Sequence, residues 1–325
     1  MSLSASPERL PGRNPQIDTA RFIAFLGVVC IHTVDDRVTF VLAEISRFAV
    51  PLFFCPSGYF LSHSPHDSLS SSIKKSIIRI APIYLFWWVI YFVLSIILGY
   101  DYYKYHSQIE IFLSGGFGYH LWFLTALLFS TISFLILKRW FSLKTIFIVS
   151  IIAYIIITIF STYNSISRIG ASVDVRVTPF YGLPYLTAGA LAARTSARLR
   201  WQTALVLFVL AVGLNTGELA LIKHLGGTGI KGGIPDVRIA TLPLGLAALA
   251  LTLSPWPLLR FENAMSRWGR ITLGFYAIHL MWVIIMMKYG VSIIFPSVLF
   301  PVSVATLSVL SGSICCKTYF RRFFM

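Results

Sequence analysis

Three ionisable residues interrupt one apolar stretch near the start of the chain: Asp18, Arg21 and His32, in IDTARFIAFLGVVCIHTV (residues 17–34). A helix turns about 100° per residue, so the step from Arg21 to His32 returns to nearly the same face. Asp18 lies one turn before Arg21 on that stripe. The two basic groups would stand roughly 16 Å apart along the axis. Ionisable groups inside a bilayer are costly; they generally face the protein interior and mark a functional path. A histidine that titrates near neutrality can take a proton from a hydroxyl. An arginine can hold a phosphate or carboxylate, or neutralise an oxyanion. The plainer alternative is an Asp18–Arg21 headgroup anchor, with His32 in a packed polar contact.

The elements that must position these groups are transmembrane helices. The chain of 325 residues is 57% hydrophobic and 12% charged, with a mean hydropathy of +0.78. A soluble domain is about a quarter charged, so this composition is that of a membrane protein. Ten stretches can cross about 30 Å of hydrocarbon: 17–34, 42–62, 78–99, 119–137, 144–161, 178–194, 201–221, 238–254, 271–288 and 292–314. Backbone groups in lipid must bond internally, which predicts an all-α polytopic bundle of about ten helices forming one domain over 1–325. The net charge of +15 is spread over short loops and does not point to nucleic acid. With a cytoplasmic N-terminus, seventeen Lys and Arg fall on the inner side and nine on the outer, which places both termini inside. Residues 1–16 then form a cytoplasmic segment and 315–325 a basic cytoplasmic tail. The longest outer connections, Tyr100 to Gly118 and Lys223 to Val237, read equally as lids, re-entrant pieces or linkers. Prolines 51, 56, 82, 179 and 184 interrupt spans, and a proline kink can free carbonyls to line a cavity. The cysteines, Cys30, Cys55, Cys315 and Cys316, have neither metal-ligand nor disulfide spacing.

The remaining polar interruptions fall at two depths. His32, Arg47 and His120, with Trp122 beside them, come out toward the outer side. Arg21, Ser57 and Tyr59 come out toward the inner side, and His279 lies near mid-depth. Each has an ordinary alternative: an aromatic belt for Tyr119 and Trp122, a surface His120, a close helix contact at Ser57-Gly58, a carbonyl-bonded His279, a local ion pair for Glu44 and Arg47. No metal-ligand spacing, P-loop or G-x-S-x-G elbow occurs. The set suits acyl transfer between two bound partners better than a metal hydrolase or an ATP-driven pump. Acyl transfer and proton-coupled transport both remain open on these residues alone.

Four motifs carry a specific likeness. Arg21 and His32 are separated by ten residues in the first span, and the segment 47–59 reads RFAVPLFFCPSGY. The stretch 120–124 is HLWFL, and 273–279 is LGFYAIH. In these motifs, their order and the ten-span layout, the chain resembles the acyltransferase 3 family of integral membrane acyltransferases. Cys55-Pro56 departs from the apolar pair that the family more often places before Ser-Gly.

The resemblance implies an O-acyltransferase that moves an acyl group, usually acetyl, from cytoplasmic acetyl-CoA (acyl-CoA) to a hydroxyl of a cell-surface or lipid-linked carbohydrate such as O-antigen. It implies a bacterial inner-membrane protein with no permanently bound cofactor and no metal. The catalytic residues expected are His32, as general base, with Arg21 and His120. Asp18, Arg47, Ser57, Tyr59, Trp122 and His279 are expected to bind substrate or donor, with Arg47, His120 or His279 holding the acceptor or the oxyanion. No appended hydrolase-like domain follows the last span. Direct transfer to the acceptor, or hand-over to a separate extracytoplasmic partner or second copy, is therefore expected. The competing class is a transporter or flippase for a lipid-linked sugar or small metabolite, which broken helices and intramembrane charge also fit.

Overall fold

The computed structural model describes residues 14–34, 36–63, 68–100, 108–167, 174–227, 235–255, 264–291 and 297–316. Most of the N-terminal segment, the basic tail from 317 and most of the glycine-rich connection lie outside the described residues. Among the described residues the secondary structure is helical, with no strand.

Local chemistry sets where helices start. Asn14 accepts from Gln16 N (3.0 Å) and Pro15 takes the first helical position, so α1 runs Pro15–His32. Asp36 and Thr39 form a reciprocal capping box that opens α2 (Arg37–Ile45). A 3-10 turn, Ser46–Phe48, joins α2 to α3 (Ala49–His63), so the second span begins at residue 37 rather than 42. Ser68 caps α4 (Leu69–Ile97), which starts before the expected 78. After the short α5 (Gln108–Ser114), a 3-10 turn, Tyr119–Leu121, leads into α6 (Trp122–Leu137). Then follow α7 (Leu143–Ser161), α8 (Asn164–Ser167), a 3-10 turn Val175–Val177, α9 (Pro179–Arg194) and α10 (Trp201–His224). The chain ends in α11 (Thr241–Leu253), α12 (Ala264–Gly269), α13 (Thr272–Lys288) and α14 (Leu299–Cys315).

Among the described residues, five helical stretches are long and apolar enough to cross a membrane: Arg37–Ser62, Leu69–Ile97, Tyr119–Leu137, Leu143–Ser161 and Trp201–His224. Three shorter apolar helices, α11, α13 and α14, join them. With α1 and α9 these are the ten expected helices of a multi-pass membrane protein. The outer helices expose aliphatic faces, as at Val206, Val209, Leu210 and Leu214 of α10, which suits lipid rather than water. The two that are less apolar are central. In α9 ten consecutive residues, Tyr181 to Ala190, are buried. A helix enclosed by protein does not need a lipid-compatible surface.

The centre is held by α3 against α9. A Cβ on Gly58 would collide with Leu186 O, and one on Gly189 with Cys55 O, so the two backbones touch through reciprocal glycines. The close-packing alternative for Ser57-Gly58 therefore holds for the glycine. Gly269 of α12 makes the same kind of contact with the backbone of Asp18 in α1. Pro56, Pro82 and Pro184 are accommodated inside continuous helices.

Candidate functional site

Alpha helix 1 delivers its two basic residues to two different cavities. His32 lines one of about 390 Å³, with Arg47, Tyr119, Trp122, Asp174, Arg176, Tyr181, Asp236 and Tyr276 among its walls. Arg21 lines another of about 110 Å³, with Ser57, Ser76, Arg79, Arg270, Thr272 and Tyr276. It also borders a minor pocket with Pro56 and Tyr59. The inward seam expected of α1 is present. Among the described residues its two ends open into separate cavities, and Tyr276 lines both chambers.

At the His32 end the 3-10 turn before α6 and the middle of α13 bring three imidazoles together. Ring centroids lie 5.3 Å apart for His32–His279, 4.9 Å for His120–His279 and 6.5 Å for His32–His120. His120 and His279 are fully buried and line neither chamber; they stand behind His32. Their tautomers follow from their partners. His120 Nε2 lies 3.2 Å from Ala277 O, and His279 Nδ1 faces Tyr276 O. A carbonyl only accepts, so each of these nitrogens carries the proton. The remaining nitrogens, His120 Nδ1 and His279 Nε2, have no hydrogen-bond partner. They present lone pairs. In these neutral tautomers neither of those nitrogens is a donor.

Alpha helix 13 is shaped by Tyr91. Its hydroxyl donates to Ala277 O (2.8 Å) and accepts from Met281 N (2.9 Å), spanning one turn of the helix. Ala277 O thereby faces both Tyr91 and His120, and the ring of His279 is held in the same turn by Tyr276 O. The Tyr276 hydroxyl donates to His120 O, closing the cluster.

The polar wall opposite is a chain of alternating charge. Arg238 Nη2 meets Glu44 Oε2 at 2.6 Å, and Glu44 Oε1 meets Arg47 Nε at 3.1 Å. Arg47 Nη1 meets Asp236 Oδ1 at 2.8 Å, and Asp236 Oδ2 meets Arg176 Nη1 at 3.0 Å. Arg176 ends the chain on Asp174 at 2.8 Å, with its guanidinium 5.8 Å from the Trp122 ring. Burial alone would raise the Asp236 carboxyl, but Arg47 and Arg176 together hold it below the usual carboxylate value. Glu44–Arg47 is thus more than a local pair, and the charge of Arg47 is balanced from two sides. The 235–240 segment is pinned rather than a free linker. Tyr154 donates to Arg238 O (2.7 Å), and Glu218 accepts from Ile239 N (2.9 Å) and Ala240 N (2.6 Å).

At the other chamber Arg21 pairs with Asp18 at 3.6 Å. Asp18 is buried, lines neither chamber and stands against Arg21. Three arginines and the Ser57, Ser76 and Thr272 hydroxyls give this chamber the chemistry of an anion site. Tyr59 lies across Arg21, in the minor pocket. Trp122 stands in the wall of the His32 chamber.

Sequence reasoning overlooked Asp174, Arg176, Asp236, Tyr276, Arg79 and Arg270. One signal was present: the tripeptide Asp-Val-Arg occurs at 174–176 and again at 236–238, in a chain with only 12 acidic residues. Both copies supply the ion chain.

Comparison with known proteins agrees with this layout. The chain is 33% identical over 138 residues to an amino-acid racemase of Enterococcus faecalis, covering 38% of this chain and 19% of that protein. This chain thus spans only a minor part of that curated relative's length. No solved structure matches it. The acyltransferase domain of the acyltransferase 3 family matches residues 14–317, nearly the whole chain, which therefore belongs to this family of membrane acyltransferases.

Proposed function

We propose that this enzyme moves an acyl group, acetyl in the first instance, from an acyl-CoA at the Arg21 chamber to a carbohydrate hydroxyl in the His32 chamber. The observation that carries the reading is that one helix, α1, presents a cationic anion site at one end and an imidazole in a roomy polar–aromatic cavity at the other. A cavity of about 110 Å³ is well below the ~300 Å³ of a small-molecule pocket, so it suits a thioester arm and not a nucleotide. The nucleotide's phosphates would then stay at the surface near Arg79, Lys74 and Lys75, which are all exposed. That puts the Arg21 end in the cytoplasm, in keeping with the basic bias of the loops on that side.

At the other end, Trp122, Tyr119 and Tyr181 supply aromatic faces, and Asp174, Asp236 and Arg176 supply polar groups. That mixture suits a sugar, with apolar ring faces and a rim of hydroxyls. His32 takes the proton from the acceptor hydroxyl as its oxygen adds to the thioester carbon. The C–S bond then breaks and the proton passes to the departing thiolate, leaving an O-acyl ester and free CoA. The rings of His279 and His120 stand behind the imidazolium formed in between.

The test is direct. Membranes carrying the protein are incubated with acyl-labelled acetyl-CoA and carbohydrate is analysed for label. Label is expected on carbohydrate, and His32→Ala should remove it by about 10²–10⁴-fold while the protein stays inserted. Full transfer by the variant would exclude His32 as the base. Uptake of intact acceptor without label would favour the transporter class.

A further inference from the structure

The two chambers meet at one side chain. Of the residues lining each, only Tyr276 belongs to both. Its ring is buried, at 3% exposure, so it fills the space between the chambers instead of bordering open passage. On one side it packs against Phe53 (centroids 5.8 Å) and Phe123 (5.4 Å), both walls of the Arg21 chamber. On the other it packs against His120 (5.2 Å) and His279 (5.6 Å), the rings behind His32.

We propose that the Tyr276 ring is the partition between the donor and acceptor chambers, and that it must swing out of this position before a thioester can meet a hydroxyl beside His32. The names of the two ligands rest on the acyltransferase reading; the partition itself does not. The holding forces fit a movable part. Among the described residues the ring has aromatic neighbours and one hydroxyl bond, to His120 O, and no charged partner. The occupant that fits the opened position is a slender, flexible chain of methylenes and amides, the arm that carries a thioester. With no donor present the ring keeps water and ions from crossing between the two polar chambers. Tyr276 is a positioning residue in this role: it sets when the thioester and His32 share a space and takes no part in bond making.

Vectorial labelling tests this without any acyl transfer. Ser57→Cys, a reporter in the Arg21 chamber, is placed in a chain whose Cys30, Cys55, Cys315 and Cys316 are changed to Ala. The protein is reconstituted in sealed vesicles of known orientation. A charged, membrane-impermeant methanethiosulfonate is added to one side at a time. With Tyr276 present, the reporter should react from the Arg21 side only. With Tyr276→Ala it should gain reaction from the His32 side, and with Tyr276→Phe, which keeps the ring, it should remain one-sided. Should Tyr276→Ala fail to accumulate, Tyr276→Leu removes the flat ring while keeping apolar bulk and should give the same gain. Reaction from both sides with Tyr276 in place, or no gain once the ring is removed, overturns the partition. Loss of the carbohydrate label in the transfer assay would remove the acyltransferase reading and leave this result standing.

Discussion

Glu44 and Arg238 stand 194 positions apart in the chain and form a buried ion pair at 2.6 Å, with side-chain exposures of 3% and 0%. The same carboxylate also meets Arg47, so it anchors one whole flank of the His32 chamber. Removing one partner of a buried pair strands the other charge in a medium that solvates it poorly. Glu44→Gln is expected to cost about 3–5 kcal/mol. Thermal unfolding in detergent should show a large drop in midpoint, and an unchanged midpoint would remove this pair from the stabilising set.

Tyr91 acts at a distance from either chamber. Tyr91→Phe leaves Ala277 O and Met281 N without their shared hydroxyl. The two groups are four residues apart in α13, the spacing of a helical hydrogen bond, so they can still partner each other within the helix. The stability change should then stay within about 1–3 kcal/mol, the cost of an unmade buried bond. Transfer should fall further than stability, because the lost hydroxyl no longer fixes Ala277 O beside His120. Comparison of kcat with the unfolding midpoint checks this, and proportionate loss of both would contradict it.

The Asp236 carboxyl has a definite pH signature. Its folded pKa is held below the usual value by Arg47 and Arg176, against the effect of burial. A depressed carboxyl contributes stability that is fully present above its unfolded pKa of about 3.9 and is lost as pH falls through the lower folded value. The difference in unfolding midpoint between the native chain and Asp236→Asn should be constant from pH 5 upward and shrink only below about pH 4. A difference that changes between pH 6 and 8 would show that another group titrates in this wall.

Arg21→Lys retains the charge and loses the planar fork. It should raise KM for the acyl donor with little effect on KM for the acceptor, as expected of a contact in the Arg21 chamber. Equal shifts in both, or none in the donor's, would place the donor elsewhere.

Periodicity and apolar length are local properties, and they determined the helices. Stretches that must satisfy their own backbone in lipid show their length in the chain itself. The inward seam of α1 was legible for the same reason, because Arg21 and His32 share a face by helical geometry alone. The motifs around Arg47, Ser57, His120 and His279 pointed to the right neighbourhoods. They could not say that His120 and His279 stand behind His32, since tautomer and burial depend on Tyr91, Ala277 and Tyr276 from other helices. Nor could they join Asp236 to Arg47 and Arg176, or Glu44 to Arg238, because these pairs close over long spans of chain. The division into two chambers on either side of Tyr276 was likewise decided by packing, where α13 meets α1, α3 and α6. A one-dimensional pattern shows which face a residue occupies on its own helix, and only the assembled bundle shows what that face meets.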